Sequence, residues 1–240
     1  MKQYRQFLLF GALFLAVSLL YNGIFGALIQ VLPAADTVQT AAAEHPVIIL
    51  DAGHGGEDGG AIGANGVPEK DLNLSLTRAL AALLRLHGYT VVESRTEDKL
   101  LYDAGTKKGH KKQSDLNNRL ALTRQYPNCV FISIHMNTFP DTTCRGLQVW
   151  YSPNDPASLE WADAVRAAVT AQLQPENHRK SKAATSSIYI LRHAQAPAIL
   201  IECGFLSTPE ECAMLCDAQY QRELALSFFS AIAQKIAAEP

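Results

Sequence analysis

Short runs of almost wholly apolar residues recur along the chain: Val47–Leu50 (VIIL), Cys129–Ile134 (CVFISI) and Ala198–Ile201 (AILI). Each is rich in β-branched residues and too short for a buried helix, so each predicts a strand covered on both faces. Tyr89–Ser94 (YTVVES) predicts a further strand, and Gly146–Tyr151 alternates like a half-buried one. Between them apolar positions fall at helical spacing. Leu72, Leu76, Leu80 and Leu83 line one helix, with Gly88 as its stop. Leu116 and Leu120 open a second, with Ser114 and Asp115 as caps. Ala162, Val165, Val169 and Leu173 line a third, and Leu224, Phe228, Ile232 and Ile236 a last one. Thr208-Pro209-Glu210-Glu211 reads as a helix start: a capping Thr, Pro in the first turn, and Glu three residues after the Thr. Strands alternating with helices predict an α/β protein with a largely parallel central sheet and helices on both faces.

The first segment has a different pattern. Lys2 and Arg5 precede a long uncharged apolar run, and no charge returns until Asp36. The run is long enough to span a bilayer, and the charge asymmetry places the following chain outside the cytoplasm. Residues 1–32 therefore read as a membrane helix. A signal peptide cleaved near Ala41-Ala42-Ala43 is the rival. Residues 33–45 are small and polar, as in a tether. Residues 46–240 form one domain, without internal repeats.

Composition adds little beyond exclusion. A net charge of −2 gives no reason to expect nucleic acid as a partner. The five cysteines are an odd number, which argues against a full disulfide framework in an exported chain. Cys129 and Cys203 sit in strand-like runs as small hydrophobes. Cys212 and Cys216 lie one helical turn apart with no second pair to complete a metal site, and a single bridge somewhere among the five stays open.

In parallel α/β sheets, sites gather beyond the carboxyl ends of the strands. VIIL runs into Asp51 and then Gly53-His54-Gly55, CVFISI into His135, and AILI into Glu202. Glu69 opens the first helix after the glycine-rich loop and can fold back to the same edge. The glycines loosely match a dinucleotide-binding pattern, but that motif needs a helix starting within the loop. Here Gly63, Gly66 and Pro68 delay it, and no Walker-type Gly-Lys-Ser/Thr is present. Two His and a Glu form the three-ligand set of a catalytic zinc, which leaves a position for water. Hydrolysis also needs a proton acceptor, and Glu202 is placed for that.

Taken singly, each residue has an ordinary reading. His54 is a loop histidine, His135 a satisfied core histidine and Glu69 a helix N-terminal acid. Glu202 is a partner for Arg192 or Arg95. Arg95 itself reads equally as a ligand for a substrate carboxylate, a brace for Glu202, or a structural ion pair. Arg119 reads as a helix-to-loop brace. Asn137 either bonds substrate or shapes its turn. The basic run Lys107–Lys112 (KKGHKK) is a solvated loop, or an attraction to an anionic wall.

Several stretches carry a resemblance: DAGHGGEDGGAIGANGVPEKDLNLSLTRALAALLRLHGYTVVESRTED, DLNNRLALTR, FISIHMNTFPDTTCRG and PAILIECGFLSTPEE. In this order, from about Val47 to the C-terminus, they resemble the zinc-dependent N-acetylmuramoyl-L-alanine amidases of the Amidase_3 family. The resemblance implies one α/β domain on a mixed sheet of about six strands. It implies cleavage of the amide between the lactyl group of N-acetylmuramic acid and L-alanine in peptidoglycan. It makes His54, Glu69 and His135 the ligands of one zinc per chain, and Glu202 the catalytic acid/base. A short N-terminal membrane segment and one catalytic domain without wall-binding repeats are similar to the CwlD-type, germination-specific subgroup of spore formers. That subgroup prepares peptidoglycan for muramic-lactam formation in the cortex, and some members need a lipoprotein partner. The alternatives are a general wall amidase, another zinc peptidase acting on stem peptides, or a non-catalytic tethered wall-binding protein. Ala52 stands where the family usually has Pro, and Thr138 where it often has Ala. The helical insertion that autoinhibits some cell-division amidases is not seen in this sequence.

Overall fold

The computed structural model describes residues 45–238. The apolar run and nearly all of the tether expected before the domain lie outside the described residues. Among those described, no helix is long and apolar enough to cross a membrane.

In chain order the elements are β1 (Val47–Ala52), α1 (Glu69–Leu86), β2 (Val91–Glu93), α2 (Lys111–Gln125), β3 (Cys129–Asn137) and β4 (Gln148–Tyr151). There follow α3 (Ala157–Gln172), β5 (Lys182–Ala183), α4 (Tyr189–His193), β6 (Ala198–Phe205), α5 (Pro209–Cys216) and α6 (Ala218–Ala237). One mixed six-stranded sheet runs β2-β1-β3-β6-β4-β5. The four strands from β2 to β6 are parallel, and β4 joins β6 antiparallel. The expected architecture is present.

Side chains of a strand alternate between the two faces, and here the parity sorts the core. Ile48, Leu50, Ile132, Ile134, Ile199 and Ile201 point to one face, where they meet the apolar stripes of α1, α3 and α6. Ile49, Phe131 and Leu200 point to the other, against Leu120 of α2 and Ile190 and Leu191 of α4. Two residues further along each strand, that second face turns polar. Asp51, Ser133, His135 and Glu202 all share it by parity. In register, Asp51 sits beside Ser133, and His135 beside Glu202. The strands thus present apolar residues to the core for most of their length and chemistry at their carboxyl ends.

Three local expectations differ from the structure. Helix α2 starts at Lys111, ahead of Ser114 and Asp115, because both residues have tertiary partners. Ser114 Oγ accepts the N–H of Asp103, and Asp115 accepts the N–H of Leu101 and binds Arg119. Thr208 precedes α5 but does not cap it. Its hydroxyl donates to the carbonyls of Thr142 and Cys144, and Glu211 accepts the N–H groups of Gly146 and Phe205. The start of β4 is buried on both faces: Val149 joins the core cluster on one, and on the other Gln148 is buried and donates to the carbonyls of Val149 and Lys180. All five cysteines are free thiols, which leaves no bridge; Cys129, Cys203 and Cys212 are buried.

Candidate metal centre

The loop after β1 answers why this stretch is glycine-rich. A Cβ on Gly53 would lie 2.2 Å from the imidazole of His135, and one on Gly60 2.5 Å from Glu69 Oε2. No side chain fits in either place, so the glycines make room for two other residues rather than for a phosphate. Between them His54 takes φ 62°, alone among the non-glycine residues described. A positive φ costs free energy for any residue with a Cβ and is held by its surroundings. Here Arg119 Nη2 donates to the His54 carbonyl at 2.8 Å.

Glu69 opens α1 and reaches back to both histidines. Its Oε1 is 2.9 Å from His135 Nδ1, and its Oε2 is 3.2 Å from His54 Nε2. Oε1 also accepts from the Met136 N–H and from Asn73 Nδ2, each at 3.1 Å, and Oε2 accepts from the Ala61 N–H at 2.8 Å. The two imidazoles meet edge to face with centroids 4.9 Å apart. One ligand atom from each of His54, Glu69 and His135 lies within 4.8 Å of the others, a spacing one cation can bridge.

Electrostatics follow from this packing. Burial works against ionisation of Glu69, but the two imidazoles outweigh it and hold its carboxyl far below the usual range. Burial lowers the basicity of His54, yet the carboxylates of Asp58 and Glu69 more than offset this and push it up to about 9. Glu202 goes the other way. Burial raises it to about 7, with the nearby histidines opposing and Glu69 adding to the shift. The residue keeps some surface exposure, but its Oε2 is enclosed with no hydrogen-bond partner. An unpaired buried carboxylate oxygen costs free energy, and this one sits beside His135 in the sheet register.

The other candidates sort as follows. Arg95 is neither a ligand for substrate nor a brace for Glu202. It is 2% exposed and donates to the carbonyls of Ala52, Gly53, Lys70 and Glu97, which pins the loop after β1 to the start of α1. Among the described residues neither Arg95 nor Arg192 pairs with Glu202, whose Oε2 has no partner. Asn137 shapes its turn: its carbonyl accepts from Leu206 and its side chain from Thr138. The basic run is only partly a solvated loop, since Lys111 and Lys112 pair with Glu57 and Asp58 of the loop after β1.

Arg119 is the brace expected of it. Its guanidinium contacts Asp51, Asp115 and the carbonyls of Ala52 and His54. Burial favours the neutral form of Asp51, but Arg119, with hydrogen bonds from Ser133 and Ser94, holds its carboxyl below the usual range. Asp51 is 0% exposed. Removing one partner of a buried ion pair strands the other. Arg119→Ala should cost about 3–5 kcal/mol in urea unfolding. A loss below ~1 kcal/mol would show that Asp51 is relieved by protonation or water.

Asp58 and Asn73 were not foreseen from the sequence. Their only signals are spacings: Asp58 four residues after His54, and Asn73 one helical turn after Glu69. A cavity of about 210 Å³ opens on the site. His54, His135 and Glu202 line it, together with Leu116, Ile188 and Tyr189. A larger cavity of about 550 Å³, beside the loop after α3 and helix α5, contains none of these residues. Chemistry rather than size marks the first as the site.

Two imidazoles and a carboxylate gathered at the carboxyl edge of an α/β sheet, with a second carboxylate alongside, have the form of a metal-assisted hydrolase centre. Residues 48–234 match the Amidase_3 family, N-acetylmuramoyl-L-alanine amidase. The germination-specific N-acetylmuramoyl-L-alanine amidase of Bacillus subtilis (strain 168) is 33% identical over 187 residues, 78% of each chain. The CwlD amidase from Clostridioides difficile, solved in complex with the GerS lipoprotein, is similar with a TM-score of 0.77 and 32% identity. That match covers 81% of this chain and 100% of that one. An N-acetylmuramoyl-L-alanine amidase from Clostridium difficile 630 is similar with a TM-score of 0.71 at 28% identity, over 82% of this chain and 100% of that one. The chain belongs to the N-acetylmuramoyl-L-alanine amidase family, enzymes of peptidoglycan.

Proposed function

We propose that this amidase is zinc-dependent, with His54, Glu69 and His135 as ligands and Glu202 as catalytic acid/base. The convergence of those three ligand atoms within 4.8 Å carries the reading. Two imidazoles and one carboxylate suit zinc better than magnesium or calcium, which prefer oxygen donors. Bound there, zinc supplies Lewis acidity toward the lactyl carbonyl and toward water.

The chain supplies the rest. Glu202 takes a proton from the attacking water, whose oxygen adds to the lactyl carbonyl carbon. The same carboxyl then returns the proton to the L-alanine nitrogen as the C–N bond breaks. A free lactyl carboxyl and a free peptide amine result. In the metal-free site burial raises this carboxyl, which favours its holding the proton before handing it to the leaving nitrogen. Leu116, Ile188 and Tyr189 line the same cavity and bound the space for the substrate. Arg95 and Arg119 are both committed to the fold, which disfavours a carboxypeptidase needing a guanidinium clamp for a terminal carboxylate.

The similarity to the germination-specific enzymes supports a role in spore cortex, where stem-peptide removal precedes muramic-lactam formation. The Clostridioides complex supports a lipoprotein partner for this chain as well. The apolar run of residues 1–32 supports an extracytoplasmic domain, residues 46–240, tethered by residues 33–45 to the membrane. Salt-washed membranes from sporulating cells that make the full chain test the whole reading. Incubated with purified peptidoglycan, they should release peptides beginning with L-alanine and leave free lactyl carboxyls, as read by mass analysis. Chelator should stop this release and zinc restore it. Stem peptides shortened from their carboxyl ends would make the enzyme a carboxypeptidase. Chelator-resistant release would exclude the metal, and release found only in the wash would exclude the anchor.

A further inference from the structure

We infer that Asp58 is a positioning residue for the metal centre, fixing the imidazole of His54, and that Lys112 fixes Asp58 in turn. The inference rests on the zinc reading above and concerns how tightly the ion is held.

Three contacts leave His54 little freedom. Its backbone is held at positive φ with the carbonyl bonded to Arg119. Its Nε2 faces Glu69 at 3.2 Å. Its Nδ1 is buried and lies 3.0 Å from Asp58 Oδ1. In the metal-free site that last contact falls short of an ideal N–H···O bond, and in a neutral, ligating imidazole it sets the carboxylate against a polarised N–H. A ligating imidazole whose second nitrogen faces a carboxylate is fixed in tautomer and orientation and is a better donor.

Asp58 is built to be still. Gly55 and Asp58 exchange backbone hydrogen bonds of 2.9 and 3.0 Å across a tight turn. The Gly60 N–H donates to Asp58 Oδ1 at 3.2 Å. Lys112, from the first turn of α2, places its ammonium 3.3 Å from Oδ2. The last lysine of the basic run is thus the outer end of a line running Lys112, Asp58, His54, metal. Lys111 pairs with Glu57 of the same loop but does not touch a ligand. It provides a control in which the same loop loses an ion pair away from the metal.

The test uses the full chain in detergent and titrates zinc against a chromophoric chelator. Asp58→Asn keeps the size and the bond from Gly60 but removes the charge, and should weaken zinc ~10–100-fold. Asp58→Ala should weaken it further. Lys112→Met should show a smaller loss, because its ammonium is mostly exposed. Glu57→Gln should leave affinity unchanged. Saturating zinc should restore Asp58→Asn activity to within about tenfold of wild type, which an unfolded loop would not permit. Affinity of Asp58→Asn within about threefold of wild type overturns the inference. Equal losses in Asp58→Asn and Glu57→Gln also overturn it, since loop integrity would then be the cause. If wild type itself binds no zinc, the zinc reading fails instead.

Discussion

Glu202→Gln should keep about one zinc per chain and lose ~100-fold or more in amide hydrolysis, the lower range for a general acid/base. The substitution preserves shape and hydrogen-bonding capacity and removes only the ability to take a proton. The backbone of Glu202 cannot drift, because β6 is hydrogen-bonded between β3 and β4, with Glu202 opposite His135 on one side and Gln148 on the other. Glu202 also makes no hydrogen bond or ion pair to His54, Glu69 or His135, unlike those three among themselves. Metal analysis and muropeptide release on one preparation give both readings. Zinc lost in the variant would make Glu202 a ligand. Full activity would remove it from the reaction.

The same variant makes a stability prediction with a definite sign. In the metal-free fold the Glu202 carboxyl is raised from 4.5 to about 7. Between those values the unfolded chain gives up this proton before the folded one does. The contribution of Glu202 to stability is therefore complete below pH 4.5 and is lost as pH rises through 7. The glutamine variant lacks that loss. Relative to wild type, metal-free Glu202→Gln should gain about 3 kcal/mol between pH 4.5 and 8 in urea unfolding. A flat difference would mean that water or a neighbour ionises Glu202 at no cost.

The strand ends could be read from the sequence because parity is local. A strand that is apolar on both faces can carry a polar residue only near its ends. VIIL, CVFISI and AILI therefore showed both their burial and the places where polar side chains begin. Pairing is not local. Whether Arg95 met a carboxylate or a set of carbonyls depended on the path of the loop back to α1, which spacing does not encode. The same holds for Thr208, a capping residue by pattern whose hydroxyl is used by the loop before β4. Helix α2 has a weak apolar stripe, and the residues expected to cap it are instead bonded to the loop before it at Leu101 and Asp103. For Glu69 the sequence left two readings, a ligand folded back to the strand ends and an ordinary acid at a helix start, and the resemblance favoured the first.

His135→Ala should abolish zinc binding and hydrolysis together. The ring fills the space over Gly53 and meets Glu69 through Nδ1, so alanine leaves both a void and a carboxylate with one neighbour fewer. A change beyond the ligands typically weakens a metal ~10–100-fold, and loss of a ligand itself should exceed that range. His54→Ala should behave alike, with one difference. Alanine has no imidazole to justify φ 62°, so the loop from Gly53 to Gly60 loses the contacts to Asp58 and Glu69 that hold it. Protease sensitivity within that loop should therefore rise in His54→Ala and stay near wild type in His135→Ala, whose residue is anchored in β3. Neither variant should recover activity at zinc concentrations that rescue Asp58→Asn. Full zinc stoichiometry in either one would take that histidine out of the site, and with it the assignment of Glu69, which reaches both imidazoles.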